Sequence, residues 1–453
     1  MKKNSRDSFY PKSGLQEYHV VQMHDMRKPL QIPILAALLI AVFHFAPFFP
    51  HLVAATLGLA RETPAISTDF PSFYAAAQAY SAGANPYDLM IVDAASTELR
   101  TKVFPFLYPP VSLPIFWLLS FAGFADSLLG FQIVSFVSLV LLTFIVLDTA
   151  EIEAWPREWR IVAIVALMAF DAISTTFQNG QVNLIATAAV LCAWRCARKG
   201  RVAIACAIAL LVATLLKVLP VLLIIPFLVR RDWKVVSWFA LLLGSTMAVA
   251  WVTVSPDVWR AWMSDVLPSG HFGETPWGLF PPSDPRNQSL NGALSRLLGE
   301  AATAEIGNIV QLGVLGLTVL ALSFRLRDDR TNFYDFAFGI MTCATFLVAP
   351  LSWMHHYVFL IPTLVCFASL LNRARPVGPV WIVGLLLTTV AVSVEWPLLL
   401  SANSLTQRLI MTLPIVGPAG LMLIYFVWSM TNCRASEALD TKTVAVISRR
   451  EQR

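Results

Sequence analysis

A succession of long apolar runs limits this chain more than any other feature. They fall at about 32–52, 109–124, 128–149, 159–176, 181–197, 201–217, 219–229, 235–254, 306–324, 333–350, 354–372, 378–396 and 411–431. A membrane-spanning helix needs about 20 mostly apolar residues. A soluble domain carries about a quarter charged residues, and this chain has 13%, with 57% hydrophobic residues. Such a chain cannot coat itself for water, so its exposed apolar surface must face lipid. The fold class expected is all-α: a polytopic integral membrane protein. Thirteen spans would put the two termini on opposite sides. Both ends are basic, with Lys2, Lys3 and Arg6 at one and Lys442, Arg449, Arg450 and Arg453 at the other. Cytoplasmic segments collect such charge. The overcount is best placed in 109–149, which leaves about 12 transmembrane helices.

Charge and punctuation set the organisation. A basic segment at 1–29 precedes a single membrane domain at 30–431, and a tail follows at 432–453. The polar lead is too long, and the first apolar run too extended, for a cleaved signal peptide, whose apolar region is about 7–15 residues. The run therefore reads as a signal anchor with the N-terminus inside. Basic blocks at Arg195–Arg201, Arg230–Lys234, Arg325–Arg330 and Arg373–Arg375 mark cytoplasmic connections. A net charge of +5, split among these blocks, gives no nucleic-acid footprint. The six cysteines lie in or beside apolar runs, contain no CxxC pair, and read as small buried hydrophobes.

Two polar stretches, 61–108 and 255–304, are too long to be simple turns. Counting spans places both outside. Phe70, Phe73, Tyr74, Tyr80 and Tyr87 stud the first, and Trp259, Trp262, Trp277 and Phe280 the second. This aromatic density suits the membrane interface. Phe70, Phe73, Tyr74 and Ala77 also form a helical stripe that could lie along the bilayer surface. No internal repeat is visible, which counts against a transporter fold.

Several polar residues in or beside the apolar runs have two readings each. Asp69 opens the Phe70–Tyr80 stretch, either as a helix cap or as a general base where water meets lipid. Lys217 ends an apolar run on the outer side, either snorkelling or marking a functional site, since an intramembrane charge is costly. Arg296 is a solvated loop arginine or a second anion contact. His355 and His356 lie between apolar runs. Adjacent residues on a helix point in different directions, so one of them can be structural while the other works in a site. Neither has carboxylate or histidine partners at metal-ligand spacing, so no metal is expected. Asp171, inside the run 159–176, either pairs with Lys217 or lines a site cavity, or else sits near water at a helix end. Gly83 and Asn85-Pro86 read as a turn. Asn287-Gln288-Ser289 matches a glycosylation sequon, a three-residue pattern too common to carry weight.

A family resemblance emerges from the order of these motifs. The first loop reads Asp69-Phe70, Phe73-Tyr74, Ala76-Ala77, Gly83 and Asn85-Pro86-Tyr87-Asp88, and ends in Tyr108-Pro109-Pro110. Then come Asn179-Gly180-Gln181 with Asn183, Lys217 with Pro220, Asn287-Gln288-Ser289 with Arg296, and Ser352-Trp353 with His355-His356. Five motifs in this order resemble glycosyltransferase family 87, the polyprenyl-phosphate-sugar-dependent membrane enzymes with a GT-C type architecture. The resemblance implies transfer of a sugar, with mannose favoured, from a polyprenyl-phosphate donor to a hydroxyl on a lipid or glycan acceptor. Transfer would occur at the outer face of the cell (inner) membrane, with inversion and without a cofactor. It implies catalytic roles for Asp69, His355 and His356. It implies substrate contacts by Lys217, Arg296, Tyr74, Asn85, Tyr108, Asn179, Gln181, Asn183, Asn287, Gln288 and Trp353. The absence of a DxD triplet and of a Gly-rich nucleotide fold agrees with a lipid-linked donor. A flippase or transporter of a polyprenyl-linked sugar would use the same cation and aromatic loops without a base. A non-catalytic assembly subunit is the third reading.

Overall fold

The computed structural model describes residues 31–49, 69–149, 157–200, 202–374, 378–393 and 404–431. The segments 1–29 and 432–453, the loop residues 61–68, Cys433 and Glu395-Trp396-Pro397 lie outside the described residues. Regular structure among the described residues is entirely helical. Among the described residues, five helical segments are long and apolar enough to cross a bilayer: Phe124–Asp148, Trp233–Thr253, Glu300–Phe324, Met354–Arg373 and Leu405–Thr431. The protein is thus a multi-pass membrane protein.

Other apolar runs give shorter helices, and the reasons are local. The run 109–124 carries Pro109, Pro110 and Pro114 and breaks into short turns at Pro110–Ser112, Leu113–Phe116 and Trp117–Phe121. Proline lacks the amide donor that a helix interior uses. This is the region where the apolar runs outnumber the expected spans. Pro220 and Pro226 likewise shorten Leu219–Val229. The run 159–176 divides into Arg157–Met168 and Asp171–Asn179 at Phe170, whose backbone leaves the helical region.

Exposed faces are apolar where lipid would lie. Val252 on Trp233–Thr253 is 84% exposed, and Ile309 on Glu300–Phe324 is 71% exposed. The helix Arg330–Leu347 is the opposite case: it is buried on every side from Phe333 to Leu347 and forms the centre of the bundle. At one end of it the buried Asp335 accepts from Arg198 Nε at 3.1 Å, Trp194 Nε1 at 2.8 Å, Ser369 Oγ at 3.0 Å and Arg373. Nearby, Arg330 pairs with Asp232 at 2.6 Å and donates to Ala197 O, and Arg230 donates to Asp328 O. The four basic connections therefore meet at one end of the bundle. Buried charge is tolerated there because each carboxylate is paired and hydrogen-bonded.

The described part of the first long polar stretch, 69–108, folds into helices Phe70–Ser81 and Leu89–Glu98. Phe70–Ser81 differs from the expected surface helix. Phe70, Phe73, Ala75, Ala76, Ala77 and Ala79 are all buried, so several faces are covered by protein rather than one face by lipid. Phe73 stacks on Phe116, with centroids 4.8 Å apart, which ties this helix to the proline-broken segment.

Candidate active site

Asp69 occupies the N-cap position of Phe70–Ser81, but its side chain makes no capping hydrogen bond. The capping reading therefore fails at the side chain, and the carboxylate turns into a cavity instead. Its amide N–H donates to Asn179 O at 3.0 Å, and its Oδ2 accepts from Gln181 Nε2 at 3.0 Å. Asp69 is 4% exposed. Burial raises its pKa from 3.8 to about 6, against the opposing pull of the Gln181 hydrogen bond and the Lys217 charge.

The turn after Asp171–Asn179 builds the other half. Gly180 closes that helix at φ +64°, the left-handed region that favours glycine. The reversal lets Asn179 and Gln181, two residues apart, serve two different partners. Gln181 holds Asp69, while Asn179 Nδ2 lies 2.7 Å from His355 Nδ1. Asn183 Nδ2 and Thr176 Oγ1 both donate to the His355 carbonyl, at 3.0 and 3.2 Å. One short loop thus grips the base candidate and a histidine together.

His355 and His356 sit in the 3₁₀ turn Met354–Leu360. Both rings line the cavity, and they face different partners. His355 Nε2 is 3.5 Å from Asp69 Oδ2. His356 Nε2 is 3.0 Å from Lys217 Nζ, and its Nδ1 accepts from the Trp353 N–H at 3.0 Å. Lys217 ends the helix Ala203–Leu216 in extended conformation, with its ammonium 5.6 Å from the Tyr108 ring centroid. Burial, and after it the charge of Asp69, pushes the Tyr108 hydroxyl up from its usual pKa.

The cavity these groups share has a volume of about 260 Å³. Asp69, Gln181, Lys217, His355 and His356 give its polar wall, and Tyr108 and Trp353 lie beside them. Five lining residues were not among the expected site residues: Ser72, and on the apolar side Phe73, Phe104, Leu107 and Leu279. The signal for Phe104 and Leu107 was present in Phe104-Pro105-Phe106-Leu107, an apolar stretch inside a loop otherwise rich in polar residues. Nothing in the sequence around Ser72 or Leu279 marked them.

Seven expected substrate contacts do not line the cavity: Asn179 and Asn183 hold His355 instead, and five lie elsewhere. Tyr74 OH donates to Ala122 O, and Asn85 Oδ1 accepts from the Tyr87 N–H inside the turn read from the sequence. Asn287 is 1% exposed and braces the second loop, donating to Pro282 O and accepting from the Ser352 N–H. Gln288 is buried beside it and pairs through its backbone N–H with Ser352 O at 2.6 Å. Arg296 is neither solvated nor in the cavity. Its guanidinium donates to the carbonyls of Asp284, Asn287 and Met411 at 3.1, 2.9 and 3.2 Å. Asp171 also does not line the cavity; it opens the helix Asp171–Asn179. No group of three or more His, Cys, Asp or Glu residues with metal-binding placement occurs among the described residues.

Arg296 therefore carries a stability prediction. Arg296→Ala removes a donor from three carbonyls, of which those of Asn287 and Met411 are in buried contacts while that of Asp284 keeps the Asn287 N–H, and should destabilise the protein by on the order of 3 kcal/mol. Arg296→Lys should not restore this, because a single ammonium cannot reproduce the guanidinium fork. Thermal unfolding in detergent would read both.

Comparison with known proteins places the geometry in context. The model of glycosyltransferase family 87 matches residues 106–350. That span includes Tyr108, Asn179–Asn183 and Lys217, and stops before Trp353, His355 and His356. A polyprenol-phosphate-mannose-dependent alpha-(1-2)-phosphatidylinositol mannoside mannosyltransferase of Mycolicibacterium smegmatis is 27% identical over 317 residues, 65% of this chain and 68% of that protein. The pentamannoside mannosyltransferase of the same organism is 27% identical over 294 residues, 61% of this chain and 65% of that protein. A Mycobacterium tuberculosis phosphatidylinositol mannoside mannosyltransferase is 25% identical over 293 residues, 60% of this chain and 64% of that protein. The matches thus span about two thirds of the relatives' length. No solved structure matches the chain.

Proposed function

The chain belongs to glycosyltransferase family 87, and on that premise we propose that it moves a mannosyl unit from a polyprenyl-phosphate donor to an acceptor hydroxyl, with Asp69 as base. It is a glycosyltransferase related to the polyprenol-phosphate-mannose-dependent mannosyltransferases. The observation that carries the reading is a buried carboxylate and a lysine lining one cavity, each facing a different histidine. The acceptor oxygen attacks the anomeric carbon as the carbon–oxygen bond to phosphate breaks. Asp69 takes the hydroxyl proton, and the polyprenyl phosphate leaves with the electron pair of the broken bond. The anomeric centre inverts because attack and departure occur on opposite faces.

The two ends of the site divide the work. Asp69 and His355 form the acceptor end. Lys217 and His356 form the phosphate end, where negative charge develops on the leaving group. A second cavity of about 80 Å³ adjoins this end, lined by Lys217, His356, Pro220, Phe346 and Phe359. Its apolar walls suit the first isoprene units of the donor. The main cavity is below the usual ligand-pocket range of about 300–1,000 Å³, which suits a sugar ring but not a polyprenyl chain.

Orientation follows from charge. The helix Asn183–Lys199 has 17 residues and runs from the site to the basic end, about 25 Å at 1.5 Å per residue. If the basic end is cytoplasmic, the site faces outward in the cell membrane. The acceptor is a lipid-linked or free glycan, with the phosphatidylinositol mannosides named for the relatives as the first class to try.

The test is reconstitution in liposomes with labelled polyprenyl-phosphate mannose and a glycolipid extract. Label transferred to a lipid acceptor is the expected result. Label carried across the bilayer with no product formed would favour the flippase. The pH profile gives a sharper expectation. Asp69 must be ionised to accept a proton, so the rate should rise with pH through about 6 and fall away below it. A base with the ordinary aspartate value would hold its rate down to about pH 4.

A further inference from the structure

We propose that Asn179 is a positioning residue for the base: by donating to His355 Nδ1 it keeps the imidazole proton on Nε2, where it faces Asp69. The inference rests on the glycosyltransfer reading for its kinetic consequence, but not for its structural content.

The argument runs through hydrogen-bond polarity. His355 is 2% exposed, and its Nε2 is a buried ring nitrogen with no hydrogen-bond partner. The nearest carboxylate oxygen is Asp69 Oδ2 at 3.5 Å, longer than a formed hydrogen bond. Catalytic contacts are often long before substrate binds. Were Nε2 unprotonated, its lone pair would face a carboxylate lone pair in a buried site. With the proton on Nε2, the neutral ring has a bare Nδ1, which needs a donor. Asn179 Nδ2 stands 2.7 Å away and supplies it. Asn183 and Thr176 hold the His355 carbonyl, which fixes the backbone that carries the ring.

Gln181 completes the arrangement from the same loop. It donates to Asp69 Oδ2, so that oxygen is the one held by protein donors. The other oxygen of Asp69 is left for the acceptor hydroxyl. His355 thereby belongs to the base and His356 to the phosphate end. Asparagine at 179 matters because it is neutral. An aspartate there would accept from Nδ1–H and hold the ring as imidazolium. The groups facing Asp69 are Lys217, His355 and Tyr108, and those facing His355 are Asp69, Lys217 and His356.

Two measurements test this. The full chain, labelled with ¹⁵N-histidine and embedded in bilayers, is examined by solid-state NMR at pH 7.5. The chain has seven histidines, and His355→Gln assigns the signal. A bare Nδ1 and a protonated Nε2 are expected for His355; a protonated Nδ1 would overturn the proposal. This readout needs no turnover, so it stands even if the transfer reading fails. Second, Asn179→Asp should move the acid limb of the rate profile down by about one pH unit or more, the effect of a new cation beside a carboxylate. The donor KM should stay unchanged. A folded Asn179→Asp protein whose acid limb coincides with the native one would also overturn it.

Discussion

Asp69→Asn is expected to lower turnover by about two to four orders of magnitude, the range supplied by a positioned general base, while thermal stability stays level or rises. The direction of the second effect separates this residue from a structural one. Asp69 sits 4% exposed, with its carboxylate raised to about 6 mainly by burial. For a group raised in this way, the protonated form is the one the fold favours. Its stabilising contribution is full below the unfolded value near 3.8 and is lost as pH rises through about 6. At neutral pH the ionised carboxylate is therefore a net cost, on the order of 3 kcal/mol. Asparagine removes that cost and keeps an acceptor for Gln181 Nε2. A protein that loses turnover and melts at the same or a higher temperature is the result expected of a base held under strain by its surroundings. Turnover retained near the native level would remove Asp69 from the role. The assay is label transfer in liposomes, paired with thermal unfolding of the same preparations.

The sequence carried the membrane class, the helical content and the motif order, because apolar run length and motif spacing are one-dimensional properties. The same information failed where the outcome depends on what a side chain meets. Arg296 and Asn287 look like available polar groups in a loop, yet both are buried braces for backbone carbonyls and amides of the loop itself. Tyr74 is one residue from Phe73 on a helix, and only Phe73 reaches the cavity. Phe70–Ser81 has the stripe of a surface helix, but its alanines let other elements pack on the remaining faces. The two histidines show the limit from the other side. Adjacent residues on an α-helix point in different directions. Here the two rings do diverge, His355 to Asp69 and His356 to Lys217, yet one cavity is wide enough to receive both. The Asn179–Asn183 motif was legible as a motif but not as a clamp. Its partners Asp69 and His355 lie more than a hundred residues away in the chain.

The second large effect is expected at Lys217. Lys217→Met should reduce kcat by about 10²–10³, the range for removing one preorganised charge-stabilising donor, with the acceptor KM little changed. His356 explains why the lysine is poised rather than merely present. The ring accepts the Trp353 N–H through Nδ1, so a neutral His356 carries its proton on Nε2. That N–H faces Lys217 Nζ at 3.0 Å. A phosphate oxygen lying beside this pair can accept from both nitrogens, which makes them the anion end of the cavity. The charge that grows on the leaving phosphate is greatest in and after the transition state, so the interaction strengthens as the reaction proceeds and appears in kcat. Lys217→Arg should recover part of the loss, since the charge returns but the fork does not fit a site shaped around one ammonium. A snorkelling lysine predicts something else: Lys217→Met would then leave kcat intact and alter only membrane insertion or thermal stability. Single-turnover transfer from labelled donor, measured alongside unfolding, distinguishes the two.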